Sequence, residues 1–81
     1  MNVEHLVHMA NQIGQFYASL PDHTESVDST ASHIRRFWEP RMRSAVYTHL
    51  DQTNGAGFSP LLLEALRAKR ADLEPKAPAP R

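Results

Sequence analysis

The sequence predicts an all-α fold: a small bundle of three longer helices and a shorter C-terminal one, followed by a disordered, proline-rich tail. Three observations carry this. Apolar residues recur at spacings of three and four along four separate segments, as a helix with one buried face requires. Each segment opens on a side chain suited to an N-cap or on a proline suited to the first helical position. No stretch alternates apolar and polar residues as a half-buried strand would, and no internal repeat is visible. The helical domain is expected over residues 1–73 and the tail over 74–81.

Asn2 is placed to cap a first helix running to about Ser19. Leu6, Val7, Met9, Ala10, Ile13, Gly14, Phe16, Tyr17 and Leu20 fill one broad arc of its wheel, and His5, His8, Asn11, Gln12, Gln15 and Ser19 fill the other. From His5 to Pro21 there is no Asp, Glu, Lys or Arg. A solvent-facing helix ordinarily carries charges freely, so a neutral polar face suits burial against another protein. Ala10, Gly14 and Ala18, spaced by four, would let a neighbouring backbone come close. Such an approach explains why Gly14 is tolerated at a cost of roughly 1 kcal/mol relative to alanine.

Leu20-Pro21-Asp22 ends that helix, and Asp22 with Glu25 reads as the capping box of a second. Val27, Ala31, Ile34 and Trp38 form its stripe, with acidic residues near its start and Arg35 and Arg36 near its end, as the helix dipole favours. Pro40 disfavours helical geometry at Glu39 and has no N–H to donate, so a third helix is expected to begin there. It carries Met42, Val46 and Leu50 inward and ends at Asn54-Gly55. Ser59-Pro60 starts a fourth helix with Leu62, Leu63 and Leu66 on its apolar side, fraying near Asp72. The terminal EPKAPAPR has no bulky apolar residue to bury.

Composition excludes several functions. An 81-residue chain is one domain at most, and a chain this small buries only about 60% of its unfolded surface, so a partner subunit is a natural source of further stability. Cysteine is absent, which removes disulfides, thiolate zinc sites, cysteine-held clusters and a cysteine nucleophile. Nine basic residues offset nine acidic ones, so bulk charge points to neither nucleic acid nor anionic membrane. The first residues show neither a basic leader nor a long apolar run, and a soluble, cytoplasmic protein is expected. His5 and His8 share a helix side, a spacing common by chance, and read as polar surface or interface histidines. His49, Asp51 and Ser59 could be named as a hydrolytic set, yet nothing places a nucleophile beside a base. Gly55 and Gly57 follow no strand, so no dinucleotide loop is present.

The segment HIRRFWEPRMR, His33 to Arg43, concentrates four arginines, two aromatics and a proline. Arg41 and Arg43 fall in the first turn of the third helix, where a cation opposes the dipole at a cost of roughly 0.3–1 kcal/mol. Local rules are most often broken where function offsets the loss. Adjacent helical residues point about 100° apart, so one of Phe37 and Trp38 should plug the core while the other does not, and the sequence leaves open which. Trp and Arg are enriched among interface hot spots. The expected partner-binding residues are therefore Arg35, Arg36, Trp38, Arg41 and Arg43, with Asn11, Gln12 and Gln15 as a second polar contact. The alternative is a small helical nucleic-acid-binding protein using the Arg35 to Arg43 segment, against which the neutral charge balance argues.

LVHMANQIGQFY (Leu6 to Tyr17), Pro21-Asp22, HIRRFWEPRMR, HLD (His49 to Asp51) and SPLLLEAL (Ser59 to Leu66) occur in this order along nearly the whole chain apart from the tail. In this combination the sequence resembles the delta subunit of NAD-dependent formate dehydrogenases containing molybdenum or tungsten, with Phe58 and the extended tail as local variation. The resemblance implies a non-catalytic accessory subunit that stabilises or helps assemble a cytoplasmic complex by binding its large alpha subunit. It implies that the other subunits carry the molybdenum or tungsten bis-pterin, the iron–sulfur clusters, FMN and the NAD site, with no catalytic, cofactor-binding or metal residue on this chain. The uncharged face of the first helix also suits self-association of the isolated chain.

Overall fold

The computed structural model describes residues 2–76. All regular structure among them is helical: α1 (Val3–Tyr17), α2 (His23–Phe37), α3 (Pro40–Thr53), α4 (Pro60–Ala68) and a single turn, α5 (Arg70–Leu73). The start signals hold. Asn2 Oδ1 accepts from the N–H groups of Glu4 and His5, Asp22 Oδ1 accepts from Thr24 N–H, and Ser59 Oγ accepts from Leu62 N–H. Asp22 thus caps α2 through Thr24 rather than through the Glu25 N–H of the expected box. Trp38 is extended, with φ −97° and ψ 136°, so the chain breaks before Pro40 and does not continue as one kinked helix. Asn54 and Gly55 both have positive φ, and Gly55 N–H returns to Leu50 O at 3.2 Å, which closes α3.

α2 packs on α1 and α4, and α1 also meets α3 and α4. The core joins Leu6, Ala10, Ala31, Ile34, Trp38, Val46, Tyr47, Leu50, Leu62, Leu66 and Leu73. Gly14 faces the first turn of α4, where a Cβ on it would stand 3.5 Å from Leu62 Cβ, an ordinary contact distance, so the approach expected of a glycine there is not one that glycine alone permits. On α2, Ser26 and Thr30 are buried because their hydroxyls donate to the carbonyls of Asp22 and Ser26 within the helix, leaving no polar group unpaired.

Three departures from the sequence reading follow from packing. α1 ends at Tyr17 rather than Ser19. α3 turns Arg43, Val46, Tyr47 and Leu50 inward, leaving Met42 only half-buried. Tyr47 tolerates full burial because its hydroxyl donates to Leu66 O at 2.7 Å. Finally, the fourth helix does not fray: it breaks at Lys69 (φ −111°, ψ 23°) and resumes as α5, which swings Leu73 into the core. Glu74, the first residue of the expected tail, is held by its N–H to Arg70 O at 2.9 Å and by its carboxylate to Arg70. The rest of the expected disordered tail, from residue 77, lies outside the described residues. No described helix is long and apolar enough to cross a membrane.

Candidate partner-binding surface

Phe16 and Phe37 are the large apolar side chains that the described residues leave in solvent, 72% and 66% exposed. Fully burying such a ring is worth roughly 1.5–3 kcal/mol, so two exposed rings on a domain this small are an unmet demand for contact. Met9, Gln12, Ile13, Phe16 and Tyr17 recur along one stripe of α1 and, with His33 of α2 and Trp38, wall an open groove of about 450 Å³. Phe37 lies one turn beyond His33 on α2 and outside that lining.

A row of rings runs across the groove from α1 and out to Phe37 on α2. Phe16 meets Tyr17 edge-on at 5.0 Å between centroids, Tyr17 meets His33 at 5.9 Å, and His33 meets Phe37 at 4.8 Å. The Tyr17 hydroxyl and His33 Nδ1 are hydrogen-bonded at 3.3 Å, tying α1 to α2. The Arg36 guanidinium stands 5.6 Å from the Phe37 centroid.

The structure separates the residues singled out from sequence. Arg35, Arg36, Arg41, Gln12 and Gln15 are exposed. Trp38 is only 6% exposed, so Phe37 rather than Trp38 is the ring at the corner that faces outward. Arg43 is also buried, and its Nη1 donates to Leu73 O at 2.9 Å. Asn11 uses both halves of its amide within the chain: Nδ2 donates to Gly57 O at 2.8 Å and Oδ1 accepts from Ser59 N–H at 2.9 Å. Within the chain, then, Trp38 and Arg43 are buried and Asn11 is hydrogen-bonded, while Trp38 still floors the groove. Sequence reasoning had placed Phe16 on the inward arc and missed it as a contact; its 100° offset from Tyr17 was the signal that could have found it.

The arginines do not form one basic face. Arg43 points inward, and Arg35 lines a second groove with Asp28, Ser32, Lys69 and Asp72, between α2 and α5. There Lys69 Nζ pairs with Asp28 at 3.2 Å, so that groove neutralises part of its own charge. Arg70 grips Asp51 through two bonds of 2.9 and 2.7 Å, which hold the Asp51 carboxyl below the usual carboxylate range. Burial pushes the Tyr47 phenol well above its ordinary value, against a smaller opposing effect of Arg70.

The imagined hydrolytic residues are each engaged elsewhere. Asp51 is held by Arg70, His49 Nε2 donates to Ala56 O at 2.8 Å, and Ser59 caps α4. Among the described residues no three His, Asp or Glu side chains gather as a metal site would require. The basic corner gains no support as a nucleic-acid reader, because Arg35, Arg36 and Arg43 diverge into three different surroundings.

No curated protein and no solved structure matches the chain significantly. The profile of the family described as NADH-dependant formate dehydrogenase delta subunit FdsD matches residues 5–66, which include both walls of the aromatic groove and stop short of α5. With a match over most of its length, the chain belongs to the family of NADH-dependent formate dehydrogenase delta subunits.

Proposed function

We propose that this chain is a non-catalytic accessory subunit that stabilises or helps assemble a cytoplasmic NAD-dependent formate dehydrogenase by docking on its large alpha subunit. The observation that carries the reading is the match of this chain to the delta-subunit family, supported by two rings, Phe16 and Phe37, left exposed on α1 and α2. Binding that favours the assembled form of the large subunit stabilises it by mass action. The redox groups belong on the other subunits: molybdenum or tungsten bis-pterin, iron–sulfur clusters, FMN and NAD. Lacking cysteine, this chain has no thiolate with which to hold a cluster. Arg35, Arg36, Arg41, Gln12 and Gln15 remain as contact residues, with Phe16 and Phe37 added to them.

The test is to produce the enzyme with and without this chain and compare its subunit composition and its metal–pterin content. Loss of subunits identifies a scaffold, and loss of cofactor with intact subunits identifies a maturation role. If neither changes, the reading fails.

A further inference from the structure

We infer that the corner between α4 and α5 is a two-state latch: contacts from α2 and α3 hold it bent, and it opens as a unit by running α4 on into α5 as one straight helix, while the body formed by α1 to α4 stays folded. This goes beyond the accessory-subunit reading and does not depend on it. Local sequence favours the straight form. From Leu61 to Glu74 there is no Gly, Pro or β-branched residue, and every position but Asp72 is Ala, Leu, Arg, Lys or Glu, the strong helix formers. Pro75 is the first residue that disfavours a helix, and it does so only at Glu74. Nothing local therefore ends α4 at Lys69.

Tertiary contacts supply the break. The ladder of α4 closes with Lys69 N–H to Ala65 O at 3.0 Å, and the next backbone bonds run from Asp72 and Leu73 N–H to Lys69 O, both at 3.0 Å. Leu66 O, which would take the Arg70 N–H in a continuous helix, accepts the Tyr47 hydroxyl at 2.7 Å. Past the break, Leu73 is buried and its carbonyl accepts from Arg43 Nη1 at 2.9 Å. Arg70 Nη2 meets Asp51 of α3 at 2.7 Å with its guanidinium 4.9 Å from the Tyr47 centroid, and Lys69 meets Asp28 of α2 at 3.2 Å. The four residues of α5 are too few to be helical unaided, so they are helical either docked in this way or joined to α4. Straightening gives the Arg70 and Ala71 N–H groups their ladder partners, Leu66 O and Arg67 O. It gives up the seat of Leu73, but it also releases a buried Arg43 whose Nε has no partner in the bent form. Opposed local and tertiary preferences at one corner make it the segment that opens first.

The experiment is nuclear magnetic resonance on the full chain. Native-state hydrogen exchange of the wild type should show the Leu73 and Glu74 N–H groups opening at least about tenfold more often than that of Ile34, with a smaller dependence on urea. Saturation transfer should give the minor state helical carbon shifts at Lys69 and Arg70. In Tyr47→Phe/Arg43→Met, which removes both bonds that hold the bend and keeps the bulk of the side chains, the population of that state should rise at least about fivefold. Adding Ala71→Pro should return Lys69 to its bent shifts, because the ring is tolerated in the first turn of α5 but would clash with Arg67 O in a straight helix. If Leu73 and Glu74 exchange only with global unfolding, the inference is overturned. It is also overturned if the minor state is coil rather than helix at Lys69, or if Ala71→Pro leaves the helical shifts in place. Should the double variant fail to fold, the exchange and the minor-state shifts of the wild type decide alone.

Discussion

Arg43, near the start of α3, donates an Nη1 hydrogen bond to the carbonyl oxygen of Leu73, thirty residues later and 2.9 Å away. The cation that opposes the dipole of its own helix is thereby aimed at the carbonyl that ends α5, where positive charge is favourable. Its Nε has no partner, so the arrangement is held by this one contact and by packing. Arg43→Ala should cost about 1.5–3 kcal/mol, the range for a buried hydrogen bond to a charged group. Urea unfolding would measure it, and limited proteolysis should show earlier cleavage after Lys69. Below the melting temperature the variant should still join the enzyme, because the side chain faces inward.

Asn11 joins α1 to the loop before α4 with a donor and an acceptor from one amide. Asn11→Ala leaves Gly57 O and Ser59 N–H without that partner and should cost about 1–3 kcal/mol. Asn11→Asp should not rescue, since a carboxylate cannot donate to Gly57 O. Hydrogen exchange at Ser59 N–H would rise in Asn11→Ala, which loses the acceptor, and not in Asn11→Asp, which keeps it.

Two glycines should respond to alanine with opposite signs. Gly14 is helical, and an added Cβ would meet Leu62 and Ser59 at 3.5 to 3.8 Å, ordinary contact distances. Gly14→Ala should stabilise by about 0.5–1 kcal/mol through helix propensity. Gly55 has φ +85°, and its Cβ would stand 2.7 Å from Leu63 Cδ1. Gly55→Ala should therefore destabilise by about 1–3 kcal/mol. Melting of the two variants, run side by side, checks both.

Tyr47 gives an alkaline signature. Burial raises its phenol pKa in the folded chain, so below the unfolded value of about 10 both states hold the proton and the group adds no pH dependence. Above about pH 10 the unfolded chain loses a proton that the folded chain keeps, and stability must fall as pH rises. Tyr47→Phe should flatten that decline while costing about 0.5–1.5 kcal/mol at neutral pH from the lost bond to Leu66 O. Denaturant midpoints followed from pH 8 to pH 11 would resolve the two effects.

The sequence by itself determined where each of the four longer helices begins and how α3 ends. Asn2, Asp22, Pro40, Ser59-Pro60 and Asn54-Gly55 act on backbone groups within three or four residues of themselves, so their effect is legible without knowing the fold. The helical apolar stripes, and a family match carried by local motifs, were legible for the same reason. Tertiary structure decided the outward turn of Phe37 and inward turn of Trp38, the burial of Arg43 and the capture of Asn11. Each depends on a partner far along the chain: Leu73 for Arg43, and Gly57 and Ser59 for Asn11. A polar or cationic side chain reads as surface until a carbonyl from another element arrives to satisfy it. That arrival, set by how helices pack rather than by local preference, sorted the residues bonded within the chain from the rings left exposed.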